Sequence, residues 1–189
     1  MTGTIPLTPR AVQTSGMLTQ LIDRQLAAQE RVLGAGTLDY VRTIWRDARG
    51  AFWGFAFARR FLGYRKALDV TVFHVARITA TQHEDCGTCV QMAVNAARAD
   101  GVDVAVVRAL LARTPGALPP ALAQVAAFTS AVCAADYAAV TELQPLVARQ
   151  VGADALVELA MAIAAARTFP TIKRAMGLAV SCSRVEVVT

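Results

Sequence analysis

Cys86 and Cys89 stand three residues apart in His83-Glu84-Asp85-Cys86-Gly87-Thr88-Cys89, a stretch holding two of the four cysteines and one of the two histidines of the chain. At the start of a helix this spacing sets both thiols on one side, with Cα atoms about 5–6 Å apart, a distance that a disulfide bridges. A bridge closing so small a loop removes little entropy from the unfolded chain, so its value lies in opening and closing. The N–H groups of a helix N-terminus favour a thiolate, while Glu84 and Asp85 oppose it with negative charge. A carboxylate or an imidazole there can instead move the protons that thiol oxidation and reduction require. Glu84, His83 and the upstream His74 are therefore candidate proton carriers, and redox is the favoured chemistry.

Two other readings compete. A zinc site needs two further ligands, and the sequence has no second C-x-x-C and no H-x-x-x-H; Cys133 and Cys182 are isolated. Two inert, buried cysteines are the stronger rival, because free cysteine is among the most buried residue types. The polar setting and the helix cap argue for reactive thiols.

The elements that must position the pair read as helices. Alanine and other strong helix formers dominate, and no alternating β-branched run appears before Val185-Glu186-Val187-Val188. An all-α, single-domain multi-helix bundle over residues 1–189 is expected, with residues 1–12 as a flexible arm. Thr14 or Ser15 caps a first helix to about Leu33, ended by Gly34-Ala35-Gly36. A second helix runs from Thr37 or Asp39 to about Gly63. Its cluster Phe52-Trp53-Gly54-Phe55-Ala56-Phe57 is apolar around most of the circumference and implies core packing, with a subunit interface as the next reading. A third helix, Lys66 to about Ala80, carries His74, and Thr81 to Glu84 turns the chain so that His74 can face the cysteines. Asp85 then caps a helix from Cys86 to Ala99.

Val104 to Ala112 is a short helix, and Thr114-Pro115-Gly116 with Pro119-Pro120 makes the clearest loop. Ala121 to Ala135 carries Cys133 among apolar neighbours. Thr141 is expected to cap a helix from Glu142 to Val151, with Pro145 tolerated near its first turn. Ala155 to Thr168 follows, Pro170 breaks it, and a last helix runs from Thr171 to about Cys182. Ala58-Arg59-Arg60-Phe61 with Arg65-Lys66-Ala67-Leu68 is echoed 108 positions later by Ala166-Arg167-Thr168-Phe169 with Lys173-Arg174-Ala175-Met176, as duplicated helical hairpins would be.

Charge and hydropathy narrow the class. Residues 1–66 hold ten Lys/Arg against four Asp/Glu, and the remainder nine against ten. The basic residues are scattered on helices without a nucleic-acid-binding motif, so a solvated face is expected and no nucleic-acid partner. No stretch reaches the ~18 uninterrupted apolar residues of a membrane span, and Ala155 to Ala166 reads as a buried core helix. Met1 to Arg10 lacks the apolar segment of a signal peptide, and four scattered cysteines suit a reducing cytoplasm.

The C-x-x-C entering an Ala-rich helix in an all-helical chain of this size resembles the alkylhydroperoxidase D-like branch of the carboxymuconolactone decarboxylase family, over about residues 66–182. Redox members of that family carry E-x11-C-x-x-C-x3-H on two consecutive helices and reduce peroxides with the cysteine pair, activated by a Glu–His relay. The resemblance implies that Cys89 becomes a sulfenic acid and that Cys86 is the resolving, proton-donating partner. The relay is not conveyed: His74 occupies the position of the family glutamate and Ala93 that of the family histidine, which leaves His74, His83 or Glu84 to supply another. Helix-dipole reasoning alone favours Cys86 as the more acidic thiol. The expected substrate is a peroxide or disulfide and the expected reductant a dithiol partner; the resemblance and the aromatic-rich second helix imply a homo-oligomer, and the sequence implies no flavin, haem or metal cofactor. A binding or interaction protein that has lost the relay is the alternative. Lactone decarboxylation is disfavoured, since it has no use for two thiols.

Overall fold

The computed structural model describes residues 16–114, 116–178, 185 and 187, and for residues 61 and 62 the backbone alone. All regular structure among these residues is helical. The helices are α1 (Gly16–Leu33), α2 (Asp39–Asp47), α3 (Arg49–Leu62), α4 (Val70–Gln82), α5 (Gly87–Ala99), α6 (Val104–Ala112), α7 (Pro120–Ala134), α8 (Tyr137–Val151) and α9 (Ala153–Ala175). The cap expected at Thr14 or Ser15, the arm at 1–12 and Cys182 lie outside the described residues.

Helix α4 is the centre. It packs against α5, α6, α7 and α9 and is buried around most of its circumference, from Val72 through Ile78 to Thr81. Its inward residues join Val94, Ala97, Val107, Val125, Leu159 and Ile163 in the larger core. A smaller core gathers Ile22, Leu26, Leu38, Tyr40, Trp45 and Phe52 from the N-terminal helices, against Met92 of α5 and Ile172 of α9. Of the aromatic cluster, Phe52 is buried in this second core, whereas Trp53 and Phe57 are exposed. The turn between α1 and α2 uses Gly34 at φ +110°, where a Cβ would approach Thr37 and Asn95. Asn95 in turn donates to the Leu33 carbonyl at 2.9 Å and ties α5 to the end of α1.

Several boundaries depart from the expectations, each for an identifiable reason. The second helix is interrupted at Ala48, whose backbone leaves the helical region before α3 begins. The third starts at Val70, because Asp69 caps it by accepting from the Thr71 and Val72 N–H groups. Lys66, Ala67 and Leu68, expected as its first turn, instead donate their N–H groups to the buried carboxylate of Glu158 on α9, at 2.9, 2.9 and 2.8 Å. Burial alone would raise the Glu158 pKa, but these backbone donors outweigh it and hold the carboxyl below its ordinary range.

Helix α8 starts at Tyr137 under an Asp136 cap and takes Pro145 in its interior. Most consequential is α9, which runs unbroken through Pro170. Thr168 and Thr171 return their hydroxyls to the carbonyls of Ala164 and Arg167 at 2.8 Å, on either side of the N–H that proline lacks. By length and composition α9 would suffice to cross a membrane; here Leu159, Ala162, Ile163 and Ala166 pack in the bundle. The sequence echo is not an echo of local structure, since residues 58–68 cover the end of α3 and a loop, and residues 166–176 the end of α9.

Candidate active site

Cys86 and Cys89 form a disulfide with Cα atoms 5.2 Å apart. The chain reaches it differently from the expected cap. Asp85 adopts the left-handed region at φ +47°, Cys86 is itself the N-cap residue, and α5 begins at Gly87. The Cys86 carbonyl accepts from the N–H groups of Cys89 and Val90 at 2.9 and 3.0 Å, which fixes the three-residue spacing within one turn. The two residues border different clefts. Cys89 lines a cavity walled by residues of α1, α2, α3, α4, α5 and α9, whereas Cys86 borders a shallow cleft with Gln82, Leu111 and Arg113.

The three candidate proton carriers take different situations. Glu84 is buried and accepts from Arg167 Nε at 2.8 Å and Arg174 Nη2 at 2.6 Å, both on α9. Burial pushes its pKa up, but the two guanidinium groups prevail and the carboxyl titrates below its ordinary range. Such a carboxylate stays ionised near neutrality and anchors the turn before the cysteines to α9. His83, the C-cap residue of α4, is exposed and three residues from Cys86. Partial burial, with Arg113 and Arg167 close by, lowers its pKa, so it is a neutral imidazole at pH 7.

His74 is fully buried, and its Nε2 pairs with Asp100 Oδ2 at 2.8 Å while Nδ1 has no partner. Burial, chiefly, lowers its pKa. Asp100 is the C-cap residue of α5, and Cys86 is the N-cap residue of the same 13-residue helix. At 1.5 Å per residue, roughly 20 Å of helix separates His74's partner from the cysteine pair. The helix hairpin therefore does not bring His74 to the sulfurs.

A residue that the sequence did not single out stands beside the pair. Lys173 on α9 is only 6% exposed, and its ammonium donates to Thr88 Oγ1 at 3.0 Å. Thr88 Oγ1 lies 3.5 Å from Cys86 Sγ. A disulfide sulfur has no hydrogen, so the threonine hydroxyl is the donor in that contact. The ammonium also sits 5.3 Å from the centre of the Tyr40 ring, and burial lowers the Lys173 pKa. Lysine, hydroxyl and sulfur thus form one hydrogen-bonded line, able to deliver a proton to a departing Cys86 thiolate. No local pattern marks it, because Lys173 is 85 residues from Thr88 and reaches it only through the unbroken α9.

The cavity on the Cys89 side measures about 140 Å³ and includes Tyr40, Arg59, Arg77, Ala93 and Lys173 in its wall. Ala93 presents only a methyl group to that wall. Cys133 is buried in the larger core, and burial raises its thiol pKa, which suits a thiol kept protonated. Among the described residues no cluster of three or more His, Cys, Asp or Glu is arranged to hold a metal ion. No protein-family model, no curated protein and no solved structure matches this chain.

Proposed function

We propose that this protein is a thiol–disulfide oxidoreductase that reduces small peroxides or disulfides with Cys86 and Cys89, in the manner of the alkylhydroperoxidase D-like proteins that its C-x-x-C stretch resembles. The observation that carries the reading is a bonded cysteine pair at a helix N-terminus with one member, Cys89, on the wall of a cavity. In the reduced protein the Cys89 thiolate attacks one peroxide oxygen. The O–O bond breaks, the departing alkoxide takes a proton, and Cys89 becomes a sulfenic acid. The Cys86 thiol then attacks the Cys89 sulfur, releases water and forms the disulfide. An external dithiol restores both thiols and is itself oxidised to a disulfide. Lys173, through Thr88, supplies the proton at Cys86 when the bridge reopens. A reducing compartment such as the cytoplasm suits this cycle. Exposed Trp53 and Phe57 on α3 support a homo-oligomer.

A non-catalytic binding role is the second reading, favoured by Ala93 in the relay position and by Glu84 held between two arginines. The deciding experiment is a peroxide- and disulfide-reduction assay on the parent, Cys86→Ser and Cys89→Ser proteins, with a dithiol as reductant. Loss of turnover in both variants supports the redox reading. Equal rates in all three sink it.

A further inference from the structure

The cavity beside Cys89 is walled by three cationic side chains, Arg59, Arg77 and Lys173, and by no carboxylate. Among the described residues none of the three forms an ion pair. Lys173 spends one hydrogen bond on Thr88 and faces the Tyr40 ring. Arg59 gives one N–H to the neutral amide of Gln29 at 2.7 Å. Arg77 forms no ion pair among the described residues and stacks 5.2 Å from the centre of the Phe73 ring. Asp100, hydrogen-bonded to His74, lies near enough to offset part of the Arg77 charge but does not line the cavity.

With Lys173 buried and Arg59 and Arg77 half-buried, these cationic groups repel one another and are incompletely solvated, and an anion placed between them relieves both. Guanidinium forks and an ammonium, all with N–H groups to spare, match the oxygens of a carboxylate. The volume limits the guest. A cavity of about 150 Å³ holds benzene, so about 140 Å³ admits about six non-hydrogen atoms. Tyr40, Leu38, Met92 and Phe169 supply apolar wall for a short carbon chain.

From this arrangement we infer that the cavity is a binding site for a small monocarboxylate, held by Lys173, Arg77 and Arg59 with its far end at Cys89. Anion binding stands on the cavity alone. That the anion is the substrate, a short hydroperoxide or disulfide bearing a carboxylate, rests on the redox function proposed above.

The test uses the full chain with Cys86 and Cys89 oxidised, so that nothing turns over, titrated calorimetrically with butyrate and with its uncharged analogue butyramide. Butyrate is expected to bind one per chain and at least tenfold tighter than butyramide. Lys173→Met and Arg77→Met are each expected to weaken butyrate at least tenfold, and Lys173→Arg to retain it. Equal affinity for the two ligands, no butyrate binding, or unchanged binding in both folded Met variants overturns the inference. A second readout needs no variant. In the reduced parent protein Cys89 should prefer iodoacetate over iodoacetamide at least tenfold more than a free thiol does, and no such preference refutes the site. Butyrate binding to the oxidised parent is read without any turnover, and the reduction assay without butyrate, so the two proposals fail separately.

Discussion

Lys173 Nζ lies 3.0 Å from Thr88 Oγ1 and joins the last turn of α9 to the first turn of α5, with the cysteine bridge directly beyond. A lysine so placed is costly to the fold, because burial disfavours the charged form, and its contact with Thr88 beside Cys86 fits a task at the sulfurs. Lys173→Met should therefore raise stability at pH 7 by roughly 0.5–2 kcal/mol while slowing reduction of the Cys86–Cys89 bridge about 10²-fold. The folded pKa lies below the unfolded one, so the parent's stability should rise with pH between the depressed value and the usual ~10.4, and the variant should lose that rise. Urea unfolding across pH, beside dithiol reduction rates, checks both; a less stable variant reducing at the parent rate contradicts the assignment.

The Glu84 carboxylate between Arg167 and Arg174 makes a different prediction. Glu84→Gln should cost about 1–2 kcal/mol at pH 7, since a buried acceptor of two charged donors loses its charge while both guanidinium groups are partly exposed. The folded pKa is depressed, so this stability is complete above the unfolded value of about 4.3 and disappears as pH falls through the folded one. Urea midpoints of variant and parent should differ at pH 7 and converge as pH falls through the depressed folded value, and a gap of constant size would refute the account.

His74 is tied to the far end of α5, and its replacement should be felt by the fold. His74→Phe removes the imidazole partner of the half-exposed Asp100, and a loss of about 0.5–1.5 kcal/mol, the worth of one hydrogen bond, is expected. Alkylation rates of the reduced cysteines should stay within about twofold of the parent, well inside the 10²-fold or greater effect of losing a proton carrier. Because burial lowers the His74 pKa, the parent loses stability as pH falls from the ordinary ~6.5 towards the folded value, and the variant should lack that slope. A large drop in thiol reactivity would return His74 to the relay.

Opening the bridge should leave the fold standing. It closes a loop of only a few residues, whose entropic stabilisation is at most about 2 kcal/mol. Dithiothreitol should thus lower the urea midpoint modestly and leave far-ultraviolet circular dichroism unchanged at 25 °C. Unfolding on reduction would mark the disulfide as bracing and count against a catalytic pair.

What the sequence disclosed was the part written in short range. The Cys86–Cys89 distance follows from three-residue spacing, and α6 and α7 from an Asp103 cap and the Pro119-Pro120 start. The misplaced boundaries have distant causes. Lys66 to Leu68 read as helix until Glu158, about ninety residues on, claims their N–H groups. Pro170 reads as a break until Thr168, Thr171 and the surrounding packing hold α9 together. The site divides in the same way: the thiols are a local motif, but Lys173 and the arginines around Glu84 come from the opposite end of the chain. His74 misleads because a hairpin brings two helices side by side without saying which turns stand level.

Since Arg167, Pro170, Lys173 and Arg174 ride on one continuous rod, their bearings around its axis are locked to one another. Removing a single residue between Arg167 and Lys173 would leave a perfectly good helix yet swing everything beyond the cut by about 100°. The ammonium would then point away from Thr88, and Arg174 away from Glu84, with no side chain chemically altered. Angular phase along α9, as much as the identity of any residue on it, is what the site inherits from the fold.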